Sequence, residues 1–387
     1  MISVVIAKST RICNADCSYC CAPPYDREKW TIEDFESFIK KMAPWLGTSV
    51  QWIWHGGEPM LMGTDFFYRA REIAERIVPG QIEFSMQSNL LAYDSKKWKN
   101  VFQDVLGGRV STSYDPDELY RTVNGDPVKY NALFWNAVSR MKEDGFRIMA
   151  IATFRKETAG LAIPFYERNL AFGKDAMHLR LNYMRPDGRI AGTGKLIDPV
   201  EYGQMLVDVY DRWVSDAPCF AVTPLIYALR SSLGFGWGEC PWTSHCGGKF
   251  LGLEPNGDVY NCSEFADLGS DWKFGNLHED SMEKMMSSGP ALFAQTRMFR
   301  IPEECVTCEH YAECDAGCGR DVVLYQAMDG KFPYCASWKA IFSRVKESIA
   351  SGEANNLIET MKNFIDRGDR RTGLGERPGT ENLVQLH

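Results

Sequence analysis

The sequence predicts an α/β fold: a parallel sheet of six strands, open or curled into a partial (β/α)6 barrel, followed by a small cysteine-rich domain. Two observations predict it. Apolar runs of strand length alternate with amphipathic stretches of helix length through the first half of the 387 residues, the pattern of repeated β-α units. The thirteen cysteines gather in two groups, at 13, 17, 20 and 21 and again at 240, 246, 262, 305, 308, 314, 318 and 335, with Cys219 apart.

Residues 2–7 (ISVVIA) form a short apolar run that ends at the loop carrying the first cysteines, as a buried strand feeding a loop would. Thr31-Ile32-Glu33-Asp34 resembles a capping box, opening an amphipathic helix that runs to about Met42. Val50 to Trp54 reads as the second strand and stops at His55-Gly56-Gly57. Helices near 64–77, 94–103, 130–144 and 161–171 then alternate with strands near 82–87, 109–114, 146–153 and 178–184. Six strands fit this rhythm better than eight, and function in such a sheet lies at the carboxyl ends of the strands. A Pro- and Gly-rich stretch at 185–199 leads to an amphipathic helix around 200–215, and Gly-rich 234–238 precedes the second cysteine group. The expected divisions are a barrel at 1–198, a helical linker at 199–235, a cysteine-rich domain at 236–345, and a helix with a polar tail at 346–387. About the last 35 residues are expected to be loosely held.

Composition excludes several classes. Lys plus Arg number 43 against 51 Asp plus Glu, a net charge of -8, and no long basic run occurs. Sequence-independent binding to nucleic acid or to an anionic membrane is therefore not expected. No apolar stretch reaches the roughly 18 residues of a spanning helix, and MISVVIAKSTRIC has neither a basic n-region nor a cleavage site. A cytoplasmic protein is expected, whose thiols bind metal rather than form disulfides.

Cys13, Cys17 and Cys20 place three thiolates on one loop, which leaves a cubane iron-sulfur cluster one iron without a protein ligand. Zinc would want a fourth Cys or His at tight spacing. Cys21 is a poor fourth ligand because adjacent side chains diverge, and Cys21 and Cys219 read as small buried apolar residues. The run Cys13-x3-Cys17-x-Tyr19-Cys20 after the first strand resembles the signature of the radical SAM family (SAM, S-adenosylmethionine), with Tyr19 in the aromatic position. The resemblance implies that the open iron holds the amino and carboxylate groups of SAM. One electron then cleaves SAM to methionine and a 5′-deoxyadenosyl radical that abstracts a substrate hydrogen, the cofactor doing the hard step and the protein positioning it.

Other motifs fall where that family carries them. His55-Gly56-Gly57-Glu58-Pro59 follows the second strand and resembles the family's GGEP motif, implying contact with the SAM amino group. Gln87-Ser88-Asn89 resembles the family's Q-T-N-G, with Leu90 in place of the Gly. Ser113-Tyr114-Asp115-Pro116 resembles S-x-D-G, Pro116 replacing the Gly; the resemblance sets Ser113 on the ribose and Arg121 on the SAM carboxylate.

The eight later cysteines suit two four-ligand sites, and thiolate count alone leaves zinc and iron-sulfur open. Their spacing resembles the SPASM domain that follows many radical SAM domains and carries two auxiliary 4Fe-4S clusters. The resemblance implies Cys240, Cys246, Cys262 and Cys318 for one cluster and Cys305, Cys308, Cys314 and Cys335 for the other, three 4Fe-4S clusters in all. Leu253 to Tyr260 reads as a hairpin around Asn256-Gly257 that holds Cys246 and Cys262 at its two ends.

SPASM enzymes mostly modify peptides or proteins, so the resemblance implies a precursor peptide as substrate and a flavodoxin or ferredoxin as reductant. In anaerobic sulfatase-maturating enzymes an Asp directly after the third SPASM cysteine acts as base. Here Ser263 holds that position and Glu264 follows, leaving Glu264 as the candidate catalytic base. The favoured expectation is a carbon-carbon crosslink, such as a cyclophane, in a ribosomally made peptide. The rivals are formylglycine formation and a dehydrogenase of a small alcohol or aminocyclitol; a mere electron carrier is disfavoured by the SAM motifs.

Overall fold

The computed structural model describes residues 1–20, 28–236, 240–327 and 330–367. Cys21 and the stretch beyond 367 lie outside the described residues. The chain forms two compact units, one from Met1–Ile197 with His245–Phe299, the other from Asp198–Ser244 with Arg300–His387.

In the first unit, strands β1 (Ile2–Lys8), β2 (Leu46–His55), β3 (Ile82–Gln87), β4 (Val110–Ser113), β5 (Ile148–Phe154) and β6 (His178–Tyr183) lie side by side in chain order. Every neighbouring pair among them is parallel. This singly wound order is that of the expected (β/α)6 half-barrel. Helices α1 (Ile32–Met42), α2 (Thr64–Ile77), α3 (Ser95–Asn100), α4 (Pro127–Glu143) and α5 (Ala162–Leu170) fill the crossovers. Their starts follow from sequence. Thr31 and Asp34 complete a capping box at α1, and the carboxylates of Asp94 and Asp126 accept backbone N–H groups at α3 and α4.

The helices cover one sheet face through aromatic rings. Trp54 on β2 stacks on Phe84 of β3 at 5.6 Å and meets Phe35, Phe66 and Phe67 from α1 and α2. On β5, Ile148, Ala150, Ala152 and Phe154 are buried while Met149, Ile151 and Thr153 stay half-buried. β6 alternates likewise, with His178, Arg180 and Asn182 on its half-buried face. The two-residue period thus separates a sealed face from a partly open one.

The later cysteine-rich segment does not start a separate sheet. Strand β7 (Phe250–Leu253) pairs parallel with the free edge of β1, β8 (Asp258–Tyr260) folds back on it, and β9 (Gly275–Asn276) follows. The turn between β7 and β8 carries Asn256 and Gly257, as the hairpin reading requires. A Cβ on Gly252 would stand 2.3 Å from the carbonyl carbon of Cys262, so only glycine lets the chain after β8 lie on β7.

A buried charge cluster ties this hairpin to β1. Lys8 Nζ lies 2.9 Å from Glu254 and 3.4 Å from Asp267, and Arg11 Nη2 lies 2.6 Å from Glu254. Lys8 also donates to the Ser263 carbonyl at 3.1 Å.

In the second unit, the helix Pro199–Asp216 packs on the helix Cys335–Ser351 around Tyr202, Trp242, Trp338 and Phe342. Two expectations are corrected there. Cys219 is exposed, not a buried apolar residue. Asn355–Arg367, expected within the loosely held tail, is a helix that buries Leu357, Met361 and Ile365. Among the described residues no helix is long and apolar enough to cross a membrane.

Lys8→Met would leave Arg11 as the one cation against the two buried carboxylates Glu254 and Asp267 and is expected to destabilise the protein by about 3 kcal/mol. Gly252→Ala is expected to cost about 1–3 kcal/mol by overpacking against backbone. Gly160→Ala, whose Cβ meets nothing within 4 Å, is the control and should stay within about 0.5 kcal/mol. Denaturant unfolding monitored by circular dichroism reads all three.

Candidate active site

The carboxyl ends of β1 to β4 bring the motifs of the first unit together. The chain leaving β1 passes directly over the end of β2, where Gly57 N donates to Thr10 O at 2.9 Å and Glu58 N to Ile12 O at 2.8 Å. A Cβ on Gly56 would stand 2.4 Å from Thr10 O, and one on Gly57 would stand 2.2 Å from Ile12 O. The Gly-Gly pair is therefore what lets the cysteine loop start where it does.

Glu58 is fully buried, and its carboxylate accepts from Met60 N at 3.0 Å, Ser88 Oγ at 2.8 Å and Asn89 N at 2.8 Å. It thereby fixes the Ser88-Asn89 turn, while Pro59 opens a buried 3-10 turn behind it. Asn89 Nδ2 in turn donates to Asn14 Oδ1 at 2.7 Å and to Cys13 Sγ at 3.6 Å. The sequence motifs at 13, 58 and 89 thus form one hydrogen-bonded chain.

The far end of the cysteine loop is held by the segment after β4. Asp16 N and Ser18 N donate to the carbonyls of Thr122 and Tyr120, and Asp16 accepts from Thr122 Oγ1 at 2.7 Å and Gly125 N at 2.9 Å. Arg189 Nη1 donates to Cys17 O at 2.9 Å. Tyr19 donates to Asp115 Oδ2 at 2.5 Å, and Arg121 donates to the same carboxylate oxygen at 3.0 Å and to the Tyr19 hydroxyl. Burial drives the Tyr19 phenol well above its usual range, against the pull of Arg121. Arg121 is therefore committed to Asp115 and Tyr19, and Ser113 Oγ accepts from Gln87 Nε2 at 2.9 Å.

The thiols of the loop suit a metal cluster. Cys13, Cys17 and Cys20 are half-buried and form no disulfide. Burial, then Glu58, Cys17 and Cys20, push the Cys13 thiol up to about 12, while Ala15 N donates to its sulfur at 3.4 Å. Such a thiol gives up its proton to a metal rather than to water, and N–H groups aimed at sulfur are how proteins tune iron-sulfur ligands. In the second unit, burial and then Cys335, Cys305, Asp315 and Cys308 push the Cys314 thiol above its usual range. Asp315, with a left-handed φ of 50°, accepts from Ser244 N at 2.8 Å and so ties the 314–318 turn to the segment after Cys240. Cys246 and Cys262 belong to the first unit, where Asn261 Nδ2 donates to Cys246 Sγ at 3.6 Å; Cys240 and Cys318 belong to the second. Among the described residues no three ligating side chains converge tightly enough for a single metal ion.

Glu264 lies on the chain after Cys262 and accepts from Arg185 at 3.0 Å. Sequence reasoning missed that partner, the Tyr19–Asp115–Arg121 contact, and the anchoring of the loop by Asp16 and Arg189. The one available signal was the excess of charged residues just past strand ends, where solvated turns would also place them.

Burial raises Glu58 from 4.5 to about 7 despite its three donors. Its folded-state value lies above the unfolded one, so the folded protein binds this proton more tightly and loses stability as pH rises from about 4.5 to 7. The contribution is about 3 kcal/mol. Glu58→Gln should remove that slope, read as the pH dependence of the unfolding midpoint in the cluster-free protein; an unchanged slope would assign the pH dependence elsewhere.

Comparison with known proteins identifies the fold. The Radical SAM superfamily model matches residues 8–160, and the model of the SPASM iron-sulfur cluster-binding domain matches residues 240–310. A serine-type anaerobic sulfatase-maturating enzyme of Klebsiella aerogenes is 24% identical over 79% of this chain and 76% of its own. The structure of native anSMEcpe with bound AdoMet and Kp18Cys peptide superposes with a TM-score of 0.74 at 20% identity, covering 92% of this chain and 99% of that one. Streptococcus suis SuiB bound to precursor peptide SuiA superposes at 0.59 with 14% identity, covering 87% and 76%. These likenesses show the fold. With both domain models matched in order along the chain, the protein is an enzyme that carries a radical SAM domain, whose cofactor is S-adenosylmethionine, followed by a SPASM iron-sulfur domain.

Proposed function

We propose that this enzyme matures a peptide chain, abstracting a hydrogen from one side chain and completing a two-electron oxidation that forms a crosslink to a neighbouring residue. The observation that supports the reading best is similarity along most of the chain to enzymes named for maturing sulfatases, together with two structural neighbours solved with peptides. Cys13, Cys17 and Cys20 would hold the cluster that binds SAM, and the eight SPASM cysteines two further 4Fe-4S clusters. When bound, the first cluster and SAM supply the 5′-deoxyadenosyl radical. The residues of this chain do the rest: Glu58 fixes the Ser88-Asn89 turn, Asn89 steadies Cys13, and the Tyr19–Asp115–Arg121 contact holds the loop's other end.

A second reading, formylglycine formation, is favoured by the names of the relatives. The residue after Cys262 argues against it, since Ser263 is buried and carries no carboxylate, and Glu264 is paired with Arg185. Reduced, reconstituted enzyme with SAM is incubated with synthetic peptides carrying Ser, Cys or Trp beside aromatic residues, and with a small-molecule fraction of host extract. Expected is peptide-dependent 5′-deoxyadenosine formation and a product that has lost two hydrogens and does not react with hydroxylamine. A hydroxylamine-reactive aldehyde would establish the second reading, and stimulation by small molecules alone would refute both.

A further inference from the structure

We propose that His55 is a further catalytic residue, whose imidazole takes the proton leaving the substrate in the second half of the oxidation, a role that Glu264 was expected to fill. The position of the ring is fixed by backbone. His55 ends β2 as the Cα partner of Lys8 on β1, and the next residue, Gly56, turns beneath Thr10 O with a φ of 123°. Its Nδ1 is shielded from solvent and has no hydrogen-bond partner among the described residues, while the residue as a whole is half-buried. An unpartnered buried nitrogen costs a fold roughly 1–3 kcal/mol, and such atoms call for an explanation in catalysis or an absent ligand.

The charged groups that face the ring are Lys8 and Glu264. Burial, then the Lys8 ammonium held by Glu254 and Asp267, lowers the imidazole from 6.5 to about 4, against the pull of Glu264. Near neutral pH such a ring carries no charge and can accept. The Glu264 carboxylate is already engaged by Arg185 at 3.0 Å, and it is the anion that a protonated His55 would face.

The oxidation balances as follows. One electron from the first cluster would break the C5′–S bond of SAM and release methionine; a substrate C–H bond breaks and its hydrogen atom goes to the adenosyl carbon; a second X–H bond then breaks, its proton going to His55 and its electron to an iron-sulfur cluster, replacing the one spent on SAM. The sum is substrate-H2 plus SAM giving product, methionine, 5′-deoxyadenosine and one proton. The proposal rests on the reading of an oxidised substrate, and its test has an arm that needs none.

Diethyl pyrocarbonate, which acylates only neutral imidazole, is applied anaerobically to the reconstituted holoenzyme near pH 6 and near pH 8, and His55 is followed by peptide mass spectrometry. Equal rates at the two pH values are expected. An ordinary imidazole would react about four-fold more slowly at the lower pH; that ratio, or no acylation of His55, overturns the proposal. In the second arm His55→Ala and His55→Gln are given a synthetic peptide deuterated at its reacting residue. Retained deuterium transfer into 5′-deoxyadenosine with at least ten-fold less product supports the role, and parallel loss of both, or undiminished product, overturns it. A wild-type enzyme that leaves every peptide unchanged refutes the peptide reading and with it the substrate proton assigned to His55, whereas unequal acylation rates overturn the accepting state of the ring with no substrate present.

Discussion

The site depends on one backbone contact: the chain leaving β1 crosses the end of β2 so closely that Gly56 and Gly57 have no space for a side chain. Two main-chain hydrogen bonds close that crossing, from Gly57 N to Thr10 O and from Glu58 N to Ile12 O. The crossing sets where Cys13 begins its loop, and it buries Glu58 in position to grip Ser88 and Asn89. Asn89 then reaches back to Asn14 and Cys13, so three strand ends are joined through groups that are each hydrogen-bonded. The loop from Cys13 to Cys20, proposed to hold a cluster, takes its geometry from these neighbours.

The same strand β1 is gripped on its other side. Lys8 and Arg11 meet Glu254 and Asp267, four charges taken out of water together. A buried cluster of this kind adds little net stability over apolar packing, and it tolerates no loss of a member. Its effect is to hold the β7–β8 hairpin, and with it Cys246 and Cys262, in one register on β1. It also places a fixed cation beside His55, which adds to burial in lowering the affinity of that ring for a proton.

Much of this was legible in the sequence. The β-α rhythm was readable because the helices carry their own start signals at Thr31, Asp94 and Asp126, and because the strands are short apolar runs. The hairpin was readable from Asn256-Gly257. The Cys13, Gly56-Gly57 and Ser88-Asn89 motifs were readable as types, although the steric reason for the glycines appears only when Thr10 and Ile12 are in place. What could not be read depends on contacts between distant residues. Tyr19 and Asp115 meet across 96 positions, and no local pattern commits Arg121 to that pair. Nothing near Phe250 indicates that β7 will take the free edge of β1. The helix at 355–367 hid behind its polar majority, with only Leu357, Met361 and Ile365 marking a buried stripe. The exposure of Cys219 is likewise a tertiary outcome.

The central claim, that the loop from Cys13 to Cys20 builds the place where SAM is cleaved, is tested most directly by comparing the reduced, reconstituted wild type with Cys17→Ala. The wild type should convert SAM to equal amounts of methionine and 5′-deoxyadenosine, and the variant should form neither while keeping the iron of its SPASM cysteines. Cleavage by the variant at the wild-type rate, or an iron-loaded wild type that leaves SAM intact, would contradict the account.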